Sequence, residues 1–153
     1  QPGSYEVAAG FQYGAYLASV LVDNREVLGK PLEINTSIDK LHLTYKADGG
    51  TLRAVMQGQK PAGVQTPLLA IVPVDAALRR PPFLYVFQMS MGREATIPRL
   101  RPGDYYVWIF DRFQSYDRFD DPGFVRQLES AARRVRIEPD GDHTAEMPLT
   151  RWP

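Results

Sequence analysis

Few side chains in this sequence are spaced for chemistry. The two histidines, His42 and His143, stand far apart. Zinc hydrolysis needs two or three His or Glu ligands grouped as H-E-x-x-H or H-x-x-E, and neither histidine has such neighbours. Both are expected at exposed positions on terminal strands. No G-x-S-x-G turn presents a serine, and without cysteine there is no thiolate nucleophile. Asp111, Asp117, Asp120 and Asp121 crowd one stretch, but calcium loops alternate oxygen ligands around a glycine and this spacing does not. These carboxylates read as a helix cap plus a solvated loop beside Arg112 and Arg118. Arg126, Arg133, Arg134 and Arg136 cluster as well. With 18 Lys plus Arg against 18 Asp plus Glu, salt bridging on a wet face is expected there and nucleic-acid binding is not. No catalytic, cofactor or metal residue is assigned, and a non-enzyme is expected.

The aromatic residues are the best lead. If Tyr105, Val107 and Ile109 point into a core, strand alternation puts Tyr106, Trp108 and Phe110 on the opposite face. Phe113, Tyr116 and Phe119 continue that character into the next loop. An open patch of this kind is normally an interface. Internal packing is the competing reading, with the N-terminal segment or a helix starting at Pro122 lying over it. A platform of Trp108, Tyr106 and Tyr116 would also suit stacking on sugar rings.

The elements that position these residues centre on 92–111. A short strand there leads through Arg101-Pro102-Gly103-Asp104 into the β-favouring run 105–110. Further strands are expected at 5–8, 16–22, 32–34, 40–46, 51–57, 68–74, 84–91, 93–97, 133–138 and 144–150. Residues 40–46 alternate apolar and polar, as a half-buried strand does. Asp23-Asn24-Arg25-Glu26 reads as a turn, 58–66 and 75–82 as loops, and Asp140-Gly141-Asp142 as the last tight turn. One helix is expected over 122–132, capped by Asp121 with Pro122 at its first position. Its apolar spacing suits packing over one end of the strands.

The chain of 153 residues is 44% hydrophobic, enough for a core, and its 13 Pro and 12 Gly fall between short apolar runs. No run approaches the length of a membrane span, and no signal-peptide pattern is present. The Gln1-Pro2-Gly3 opening without methionine reads as a processed or excised piece.

An internal repeat divides the chain. PGSYEV at 2–7 returns as PGDYYV at 102–107, and PLEINTSIDKLHLT at 31–44 resembles RVRIEPDGDHTAEMPLT at 134–150. With a boundary at Asp48-Gly49-Gly50, residues 1–47 read as the C-terminal half of a preceding β-sandwich and 48–153 as a complete one. The predicted fold class is all-β: an antiparallel Greek-key sandwich of about seven strands with one short helix, preceded by a partial sandwich.

Ile97, Leu100, Pro102, Gly103, Tyr105 and Val107 match the pattern D-x-x-G-x-F-x-[IVL]-x-x-L-x-P-G-x-Y-x-[VL], with Gly92 one residue ahead of its first glycine. In this the chain resembles carboxypeptidase-regulatory-like domains, relatives of the collagen-adhesin B-type and transthyretin-like prealbumin folds. PLLAIVPV at 67–74 is similar to the family's A-x-V-x-L-V-P strand, and Asp121-Pro122-Gly123-Phe124-Val125 to its D-P-x-F-L segment. The sequence departs from the pattern at Met89-Ser90-Met91, where the family has aspartate, at Ala95, where it has Phe, and in a degraded opening strand at 51–55. Adhesin-type relatives form Lys–Asn isopeptide bonds. The only lysines are Lys30, Lys40, Lys46 and Lys60, and Asn24 and Asn35 both precede the complete unit, so none is expected there. The resemblance implies a non-catalytic structural or protein-interaction module of an extracytoplasmic protein (periplasmic, cell-surface or secreted). Its expected partners are other protein chains or neighbouring domains, with a glycan as the alternative, no cofactor, no nucleic acid and no membrane span.

Overall fold

An unbroken apolar strand is stable only where both of its faces are covered. Two such runs, LLAIVP and YYVWIF, lie side by side at the centre of this protein. A computed structural model describes residues 3–5, 7, 14–34, 37–59, 62–64, 66–89 and 92–153. Pro2, Glu6 and Ala8 of the first repeat segment and its predicted strand, Asn35, Lys60, parts of the 58–66 loop, and Ser90 and Met91 at the end of the predicted 84–91 strand lie outside the described residues.

The described strands are β1 (Gly3–Tyr5), β2 (Tyr16–Val22), β3 (Arg25–Glu26), β4 (Leu32–Ile34), β5 (Leu41–Lys46), β6 (Gly50–Gln57), β7 (Leu68–Pro73), β8 (Tyr85–Gln88), β9 (Glu94–Leu100), β10 (Gly103–Phe110), β11 (Arg133–Ile137) and β12 (Asp142–Thr150). A single α-helix among the described residues, α1 (Pro122–Glu129), follows a 3-10 turn at Tyr116–Asp120. The fold is all-β, as the turn-punctuated apolar runs predict. The helix ends before the predicted 132. β3 is an addition: Asp23 and Asn24 both take positive φ, which makes the two-residue hairpin turn that leads into it.

The large sheet runs β8-β7-β10-β12-β6-β9, with β11 on β10. β11 pairs β10 over Gly103–Val107, and β12 takes over at Ile109 and Phe110. β12 lies parallel to both β6 and β10, which departs from the wholly antiparallel expectation. Parallel neighbours need a long crossover, and the chain between β6 and β12 supplies one. The sheet curls, so that its two edge strands, β8 and β9, line the same groove. The core on its inner side joins Leu52 and Met56 of β6, Ile71 of β7, Tyr105 and Val107 of β10 and Met147 of β12. Tyr105 is anchored through its hydroxyl, which donates to the Arg101 carbonyl oxygen at 2.8 Å.

Residues 14–47 make a smaller sheet, β3-β2-β5, while β4 pairs β1. Leu17, Val20, Val22, Val27 and Leu32 pack with Phe83, which ties this part to the large sheet. Gly50 begins β6 in a tight place, since a Cβ there would sit 2.5 Å from the Glu138 carbonyl oxygen. The Asp48-Gly49-Gly50 break is bonded on both sides. The Tyr16 hydroxyl donates to Asp48 Oδ1 at 2.9 Å, and the Asp140 N–H donates to the Asp48 carbonyl at 2.8 Å.

Candidate interaction surface

The predicted aromatic face is not a surface. Trp108, Phe110 and Phe119 are wholly buried and Tyr106 is nearly so. Alternation does turn Tyr106, Trp108 and Phe110 away from the Tyr105 side, but α1 lies over them with Phe124, Val125 and Leu128. Helix packing, the competing reading of the sequence, is what covers this face. The reason is visible in α1 itself. Asp121 Oδ1 accepts the Gly123 N–H at 2.8 Å to start the helix, and the apolar side chains then fall on one side. Of the six residues, only Tyr116 remains exposed, with Phe113 half-buried against it in an edge-on pair. A sugar-stacking platform of Trp108, Tyr106 and Tyr116 is therefore not assembled.

Trp152, which the sequence reading passed over, completes this cluster. Its ring meets Phe110 at 4.9 Å and Phe113 at 5.1 Å between centroids, both edge-on. Asp111 Oδ1 accepts the Trp152 N–H at 2.9 Å and fixes the C-terminal tail. Only its position three residues past the last strand's Met-Pro-Leu run could have marked it. The Trp108 indole N–H donates to the Leu128 carbonyl at 3.0 Å, whereas Trp152 Nε1 is buried without a partner. The Tyr106 hydroxyl donates to Glu129 Oε1 at 2.7 Å, and this bond, together with burial, raises its pKa.

The charged residues fall into ordinary roles. His42 is exposed on β5, and His143 Nε2 accepts the Glu138 N–H at 3.1 Å. Arg118 lies 4.6 Å over the Phe124 ring, and Arg134 pairs with Asp104 at a loose 3.9 Å. Among the described residues no three His, Cys, Asp or Glu side chains converge as metal ligands. No helix among them is long and apolar enough to cross a membrane.

Two apolar features do face outward. The first is a groove of about 790 Å³ between the small sheet and the edge strands β8 and β9, walled by Tyr16, Tyr45, Phe83, Tyr85 and Phe87 with Arg99 at its side. Burial and the bond to Asp48 push the Tyr16 hydroxyl up to about 12, and burial raises Tyr85. The second is β5, at the end of its sheet, which pairs only with β2 among the described residues. Leu41 is 51% and Leu43 42% exposed on it. Edge strands usually hide such residues or replace them with charge, because open backbone groups beside apolar side chains recruit another strand. Glu26, on the far side of β2, accepts bonds from Ser19 Oγ (2.6 Å), Leu28 N–H (2.9 Å) and Val20 N–H (3.1 Å). Its partial burial would raise its pKa, but these bonds outweigh that and hold it low. No protein-family model, curated protein or solved structure matches the chain.

Proposed function

We propose that the chain is a non-enzymatic structural and protein-interaction module of a secreted, periplasmic or cell-surface protein, serving as scaffold or accessory subunit of a larger assembly. In this reading residues 48–153 are a carboxypeptidase-regulatory-like unit, a Greek-key β-sandwich, and residues 1–47 are the C-terminal half of a preceding repeat. The anchored Tyr105 after Pro102-Gly103 supports the family reading, since a tyrosine bonded back to the upstream backbone is a recurring brace of sandwich folds. Contact with neighbouring domains or chains runs through open strand edges and not through the aromatic face.

The observation that carries this reading is the β5 edge, with Leu41 and Leu43 in solvent. Strand addition to such an edge obtains affinity from main-chain bonds and selectivity from alternate side chains. The test is a photo-crosslinking residue at His42 on β5, with Gln57 at the end of β6 as control, activated in the native assembly. A polypeptide adduct from position 42 alone is expected. Adducts to glycan only, or equal yields at both positions, would remove the reading.

A further inference from the structure

The strand edges of this fold are protected to different degrees. β9 carries Glu94, bridged to Arg53 at 2.6 Å, and Pro98, which has no N–H to offer a neighbour. β3, at the far end of the small sheet, is only Arg25 and Glu26. Charge, proline and shortness are the usual means of keeping an edge from recruiting another strand. β5 has six residues, no proline and no carboxylate, and its leucines are exposed.

The direction of its main-chain groups follows from the bonds around β2. The Asp23 N–H donates to the Lys40 carbonyl at 3.0 Å and the Lys40 N–H to Asp23 Oδ1 at 2.9 Å, so both main-chain groups of Lys40 face β2. Opposite Leu43, Val20 turns both of its groups the other way. Its carbonyl accepts the Val27 N–H at 2.9 Å and its N–H donates to Glu26 Oε1 at 3.1 Å. Bonding direction alternates along a strand, so the N–H and C=O groups of Leu41 and Leu43 point to the open edge. Their side chains lie on the core face, because Leu41 is opposite Val22 and Leu43 opposite Val20.

We propose that this edge pairs with the β5 of a second copy of the chain, antiparallel about a two-fold axis at His42. This rests on the strand-edge reading above and names its partner. In that register Leu41 meets Leu43 of the second copy and Leu43 meets its Leu41, each pair exchanging both main-chain bonds. The apolar rows that hold Val22 and Val20 then run on from one sheet into the other. Lys40 meets Thr44 of the second copy, and no two lysines are opposed. Centring the axis on Leu43 would set Lys40 against Lys46, and centring it on Thr44 would set His42 against Lys46. With 18 Lys plus Arg against 18 Asp plus Glu, no net charge holds the copies apart. A short strand pair buries less than the ~1,200 Å² of a standard interface, so the dimer is weak and reversible and has to be trapped.

The chain has no cysteine, so a single introduced one reports the register. His42 and Thr44 lie on one exposed face of β5. Across the axis the two Cα atoms of position 42 come about 4.5 Å apart, within disulfide reach, while those of position 44 stay about 14 Å apart. Mild oxidation of the purified chain, followed on non-reducing gels, should link His42→Cys at least about tenfold faster than Thr44→Cys. Adding Leu41→Asp and Leu43→Asp should abolish the difference. Equal rates at the two positions, or a faster rate at 44, would overturn the proposal. If position 42 is not trapped in the purified chain, yet photo-crosslinking from it in the native assembly captures a different polypeptide, the strand-edge reading stands and the second copy falls. With no polypeptide adduct in either setting, both fall.

Discussion

Trp108 and Trp152 share one aromatic cluster but differ in a single bond. Both rings are buried, yet only the Trp108 N–H has an acceptor, the Leu128 carbonyl. Phenylalanine at either place removes similar volume, but at 108 it also removes one hydrogen bond to the Leu128 carbonyl (which keeps the Ala131 N–H at 3.0 Å), worth about 0.5–1.5 kcal/mol, whereas at 152 it removes a buried N–H that had no partner. Urea denaturation of the two variants should therefore place Trp108→Phe about 0.5–1.5 kcal/mol below Trp152→Phe in stability. Equal losses would mean that the indole bond contributes nothing. Tyr16 makes a pH-dependent statement of the same kind. Its hydroxyl titrates near 12 in the folded chain against an ordinary 10.0. The folded state thus favours the protonated form, and the associated stability is complete below pH 10 and lost as pH rises toward 12. Tyr16→Phe should flatten the alkaline limb of a stability–pH curve between those values. An unchanged limb would place the titrating group elsewhere.

At the level of elements, β6 and α1 show two ways in which local sequence meets tertiary demand. The helix is written locally: an aspartate cap, a first-turn proline and one apolar face. What it covers is not, because the face of β10 opposite the core carries no label that says helix or solvent. β6 is the reverse. Gly49 and Gly50 look like a flexible break, yet a Cβ on Gly50 would press into backbone of the 137–141 turn. Gly50→Ala should cost about 1–3 kcal/mol by overpacking, read as a shift in thermal midpoint. A neutral result would mean that the start of β6 can move away from the turn.

For the molecule as a whole, Phe83 couples the small sheet to the large one. It is buried among Leu17, Val20 and Val22 of the small sheet and Val27 and Leu32 beside it. Phe83→Ala removes about 3–5 kcal/mol of packing at that junction. Amide exchange should then speed up across β2 while β10, in a core of its own, keeps its protection. Equal acceleration in both would show that the chain unfolds as one unit.

The legible part of this fold was whatever local physics writes. Period and turn chemistry marked β2 and β4 to the residue, the helix start at Pro122 and the Pro-Gly step before Tyr105. The repeat was also legible, since the letters alone aligned strands that proved to pair in equal register. The candidate site was legible only in part. PLLAIVPV and YYVWIF are both unbroken apolar runs, and two such runs are the signature of a pair covered on both faces. Alternation instead suggested that one face met water. Which surface stayed open was decided by tertiary structure alone: α1 folded back over Trp108 while nothing among the described residues covered Leu41 and Leu43. Burial depends on what arrives from elsewhere in the chain, and a residue's own neighbours in sequence do not record that.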